Sequence, residues 1–113
     1  MSKTMELKVR TLDRAPMHGT GGELVPIAEC DPKGVAAKLL EEAAEAYGAW
    51  QIYANADTDF MRGLTWGPQL CDELADVITA ACDLAKACGL DMGLQAALDR
   101  NGRRQIERGR IDA

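Results

Sequence analysis

An all-α fold is predicted for this 113-residue chain by three features of its sequence. Two long stretches carry apolar residues at helical spacing, each holds an acidic pair three residues apart, and each is bounded by Pro or Gly signals. The expected architecture is an antiparallel helical hairpin, assembled into a four-helix-bundle-type oligomer and preceded by an extended N-terminal arm. Residues 1–30 read as arm and loop, 31–102 as the helical core and 103–113 as a basic tail of one domain.

Met5 to Leu12 alternate apolar and charged residues, which suits an edge strand or an extended arm. From Asp13 to Ile27 the chain carries Pro16, Gly19, Gly21, Gly22 and Pro26 and reads as loop. It matches neither Gly-rich phosphate-loop pattern, and His18 within it reads as a surface residue. Asp31-Pro32 is a helix start, an N-cap acid followed by Pro at the first helical position, and the first helix is expected to run to about Asn55. Asn55 to Gly67 is too long for a tight helical hairpin turn and is expected to fold over something. Gly67-Pro68 opens the second helix, which continues to Cys88 and stops at Gly89. Asp91 caps a third helix ending near Asn101-Gly102.

The net charge of −5 argues against general affinity for duplex nucleic acid. Arg100, Arg103, Arg104, Arg108 and Arg110 nevertheless crowd the end of the chain, as a phosphate-binding tail or as a solvated terminus. Cys30, Cys71, Cys82 and Cys88 lack metal-finger spacing, and His18 is the only histidine, so zinc and a disulfide framework are both disfavoured. With no signal-peptide pattern and no membrane-length apolar run, a cytoplasmic protein is expected. The apolar content is carried by Ala rather than by aromatics, so a lone hairpin would bury little area, and a homodimer or homotetramer is expected.

On a helical wheel, Leu39, Ala43, Ala46, Tyr47 and Trp50 centre on one face of the first helix, with Glu42 and Glu45 along its edge. In the second helix Leu70, Leu74, Val77, Ile78, Ala81, Leu84 and Ala85 form the apolar face, with Glu73 and Asp76 along the corresponding edge. Packing those faces antiparallel brings all four carboxylates out on one side. Apart from Lys38, four residues before Glu42, none has a basic helix partner. Such a crowd of like charge is unfavourable unless neutralised, and oxygen ligands suit hard cations, so Mg²⁺ or Mn²⁺ is the expected cofactor.

Glu41-Glu42-Ala43-Ala44-Glu45, followed after 27 intervening residues by Glu73-Leu74-Ala75-Asp76, resembles the signature of the all-α nucleoside triphosphate pyrophosphohydrolases. Lys38 to Glu45 and Asp72 to Ile78 read most like the MazG-like members, and the resemblance covers about residues 32–110. It implies a dimeric or tetrameric helical enzyme that cleaves a nucleotide between its α- and β-phosphates and releases pyrophosphate. Glu42, Glu45, Glu73 and Asp76 would be the Mg²⁺ ligands. Glu45 or Glu41 would take the proton of the attacking water. Asn101, Arg103 and Arg104 would contact phosphates, and Lys38 is a further candidate substrate-binding residue.

Trp66 is either a platform for the base or an anchor for its own loop, whereas Trp50 reads as packing. Two alternatives stand beside a nucleotide-pool enzyme: hydrolysis of phosphoribosyl-ATP, whose family also doubles the first-helix Glu, and a non-catalytic helical module that binds metal or nucleotide.

Overall fold

In the computed structural model, residues 5–16 and 22–111 are described. His18, Gly19 and Gly21 lie outside them. Two short strands, β1 (Arg14–Pro16) and β2 (Leu24–Pro26), precede three long helices, α1 (Pro32–Ala54), α3 (Gly67–Ala87) and α4 (Asp91–Glu107); the three-residue α2 (Asp59–Met61) lies between the first two. The all-α class holds, since the two-stranded ribbon is the only sheet among the described residues.

The segment read as loop from Asp13 to Ile27 contains that ribbon, and residues 5–12, read as an edge strand or an extended arm, form no strand among the described residues. Pairing is antiparallel, with Arg14 opposite Pro26, Ala15 opposite Val25 and Pro16 opposite Leu24. Each strand has one neighbour, so a proline can turn its donor-less side away from the ladder. The Ile27 amide donates to Asp13 O at 3.1 Å, and Ile27, 1% exposed, is the most deeply buried side chain. The arm itself is held by side chains. Gln95 accepts from the Val9 amide at 2.7 Å and donates to Leu7 O at 3.3 Å, and Asp83 Oδ1 accepts from the Leu12 amide at 2.9 Å.

Helix α1 starts as expected, with Asp31 Oδ1 accepting from the Lys33 amide at 3.1 Å and Pro32 at the first position. The connector is ordered by Arg62. Its guanidinium donates to Tyr53 O at 3.2 Å and Asp59 Oδ1 at 2.7 Å and lies over the Tyr53 ring, 5.8 Å from its centroid. A five-residue π-helical turn, Arg62–Trp66, then leads into α3. At the other end of α3, Gly89 takes φ +72° while its amide donates to Lys86 O and the Leu90 amide to Ala85 O, a Schellman stop.

Helix α4 departs from expectation at both ends. Asp91 is its first residue, and the N-cap Leu90 supplies no side-chain cap. The helix continues through Asn101 and Gly102 to Glu107, because the left-handed stop is Gly109: its amide donates to Ile106 O, and the Arg110 amide donates to Gln105 O. Arg103 and Arg104 are therefore helical rather than part of a tail.

The α1–α3 hairpin is the heart of the chain, and its seam is rotated from the face the wheel favoured. Glu42, Ala46 and Ala49 of α1 and Ala80, Cys82 and Asp83 of α3 are buried, whereas Tyr47 is 61% and Trp50 49% exposed. Small side chains let the two backbones approach closely. Glu42 consequently lies in the seam rather than along its edge.

Candidate metal centre

Antiparallel packing of α1 on α3 sets the stretch around Glu42 beside that around Glu73 and Asp76. One carboxylate oxygen from each of these three residues lies within 4.8 Å of the others. Glu42 is buried, Glu73 half-buried and Asp76 exposed, so the cluster runs from the seam to the surface. Glu42 Oε2 and Glu73 Oε2 are both enclosed and have no hydrogen-bond partner among the described residues. A buried carboxylate oxygen without a donor is costly, and two in one cluster of carboxylates more so. One cation is already present: Lys38 Nζ stands 2.9 Å from Glu42 Oε1 and 3.8 Å from Glu41 Oε2. One ammonium does not balance three carboxylates. An all-oxygen donor set with two unsatisfied buried atoms fits a hard divalent cation.

Glu45 is exposed and falls outside the three-residue cluster, yet it feels it. Its carboxyl is held above the ordinary range chiefly by the charge of Glu42, with desolvation and the charge of Glu73 adding and Lys38 opposing. The Lys38 ammonium is pushed the same way, first by its hydrogen bond to Glu42 and then by that residue's charge. Glu41 is exposed and stands at the edge of the cluster beside Lys38.

A cavity of about 660 Å³ opens beside the cluster, within the size range of small-molecule sites. Lys38, Glu41, Glu42 and Asp76 line it together with Thr79 and Asp83 of α3. Leu12, Ala15, Ile27, Val35 and Ala80 supply apolar wall, so the arm and the ribbon close a space that the hairpin alone would leave open. Of the residues singled out from the sequence, the fold gathers Lys38, Glu41, Glu42, Glu73 and Asp76 at this site, with Glu45 next to them. Trp66, Asn101, Arg103 and Arg104 do not line this cavity. Asn101 Oδ1 accepts from Gln105 Nε2 at 3.2 Å on the exposed side of α4.

Asp83 was missed. Its signal was an acid inside the apolar run from Val77 to Ala85, seven residues after Asp76 and therefore on the same helix face. Cys30, also at the cavity, donates its thiol weakly toward Pro26 O at 3.5 Å, and all four cysteines are free. No helix among the described residues is long and apolar enough to cross a membrane. Comparison with family models, with curated proteins and with solved structures returns no match for this chain.

Proposed function

We propose that the protein is a Mg²⁺-dependent hydrolase that cleaves a nucleoside triphosphate, or a related nucleotide, between the α- and β-phosphates and releases pyrophosphate. The observation that carries this reading is the convergence of two enclosed, unpartnered carboxylate oxygens with Asp76 at the edge of a ligand-sized cavity. Glu42, Glu73 and Asp76 hold the ion; Mn²⁺ satisfies the same oxygen donors. When bound, it neutralises phosphate oxygens and makes a coordinated water more acidic.

The chain's own groups do the rest. Water adds to one phosphorus flanking the α–β bridge, that phosphorus loses its bond to the bridging oxygen, and nucleoside monophosphate and pyrophosphate separate. The water's proton passes to Glu45, an exposed carboxylate one helical turn from Glu42. Glu41, exposed beside Lys38, is the alternative acceptor. Lys38, at the cavity and paired with Glu42, offers positive charge to the phosphates.

The outer stripe of α1 (Leu40, Tyr47, Trp50) and that of α3 (Leu74, Ile78) are exposed apolar surface, and they serve as the contact between copies in a dimer or tetramer. Arg103 and Arg104 reach phosphates only across such a subunit boundary. Trp66, half-buried in the π turn, acts as a base platform on the same condition. An enzyme of nucleotide pools works in the cytoplasm.

Pyrophosphate release from a panel of NTPs and dNTPs tests the reading, with Mg²⁺ or chelator and with wild type beside Glu73→Gln. Chelator-sensitive release that the substitution abolishes is expected. Release that survives both contradicts it, and silence across the panel from folded protein turns the assignment to phosphoribosyl-ATP or to a metal- and nucleotide-binding module.

A further inference from the structure

Asp83 is an acid on the cavity wall for which the proposed cleavage has no use. It is 7% exposed, and its Oδ1 accepts the Leu12 amide at 2.9 Å. Each carboxylate oxygen can accept two hydrogen bonds, so Oδ1 keeps a second place. Oδ2 accepts none among the described residues and is not one of the enclosed, unpartnered oxygens. Asp83 stands seven residues after Asp76 on the same face of α3, about 10.5 Å along the helix at 1.5 Å per residue. That is comparable with the reach from the 5′-phosphate of a nucleotide to the far edge of its base. Apolar Leu12, Ile27, Val35 and Ala80 flank the space, as a flat aromatic ring requires.

Resting on the reading of the carboxylate cluster as the phosphate end, we propose that Asp83 selects the base and that the preferred ligands are guanine nucleotides. A carboxylate only accepts hydrogen bonds, and it rewards a base edge with two adjacent donors. Guanine has that edge, in its ring N1–H and exocyclic amino group. Adenine and cytosine set a ring acceptor beside their amino group, and uracil flanks its single N–H with two carbonyls. Each of these turns a lone pair toward the aspartate, and a buried polar group left mismatched discriminates strongly.

Calorimetric binding of guanosine, inosine and adenosine 5′-monophosphates to the full chain in Mg²⁺ tests this without turnover. Inosine monophosphate lacks only the amino group. Wild type is expected to bind the guanosine compound about tenfold or more tighter than the inosine compound, the scale of one lost hydrogen bond in a two-bond pair. Asp83→Asn keeps an acceptor for the Leu12 amide, exchanges the other oxygen for a donor, and is expected to erase the preference. Equal binding of all three by wild type, no binding of any, or a preference unchanged in Asp83→Asn overturns the proposal. Pyrophosphate release without base preference sinks the guanine assignment alone. Selective guanine binding without release from any triphosphate sinks the hydrolase reading alone.

Discussion

Glu42 holds the most consequential atom in the molecule. It lies in the helix seam with one oxygen on Lys38 and the other enclosed without a partner among the described residues, a penalty that the proposed cation would remove. Glu45 reports the same crowding from outside. Because its folded carboxyl pKa is raised, its protonated form is the one the fold favours. Its contribution is fully present below the ordinary glutamate value of about 4.3 and is lost as pH rises through the higher folded value. Metal-free protein should therefore lose melting temperature over that window, and Glu45→Gln should flatten the loss and raise the melting temperature near neutrality. Thermal melts in chelator across pH 4 to 7 check both; an unchanged profile in the variant would mean that Glu45 does not sense the cluster.

At the scale of elements, the C-terminal ends of α3 and α4 are set by glycines in the left-handed region. Gly109 stops α4 with φ +72°, and Gly109→Ala should cost about 1 kcal/mol by chemical denaturation, whereas Gly102→Ala, inside the helix with open space ahead of its Cβ, should stabilise by up to about 1 kcal/mol. This pair also shows where sequence reading failed. Asn101-Gly102 has the composition of a helix stop, but a glycine ends a helix only where the following chain closes the Schellman bonds, and Arg110 and Gly109 do so seven residues later. The start at Asp31-Pro32, the stop at Gly89 and the meeting of Glu42 with Glu73 and Asp76 were legible, because capping chemistry and helical periodicity are local. The seam was not. Tyr47 and Trp50 dominate any count of apolar character on α1, yet the hairpin closes on Ala46 and Ala49, since close approach favours small residues over large ones. The hold of Asp83 on the arm was illegible for a related reason, that an acid in an apolar run finds its meaning in a backbone amide 71 residues away.

The whole molecule is a slab of 45 × 38 × 17 Å with a radius of gyration of 16.8 Å, well above the roughly 13 Å of a compact domain this long. A layer little more than one helix thick has few fully buried apolar side chains and leaves Leu40, Tyr47, Trp50, Leu74 and Ile78 open on the hairpin. The proposed assembly covers them. Ile78→Asp should reduce the sedimentation mass to that of one chain and lower the melting temperature together; a wild type that is already monomeric at micromolar concentration contradicts the assembly.

Whether the carboxylates of two helices form one cation site is tested most directly by Mg²⁺ binding followed by calorimetry and by melting temperature. Wild type should bind Mg²⁺ and melt higher with it, while Glu42→Gln and Asp76→Asn, folded by circular dichroism, should each weaken binding tenfold or more. Mg²⁺ that leaves the wild-type melt unmoved, or that binds both variants as tightly as wild type, would contradict the account.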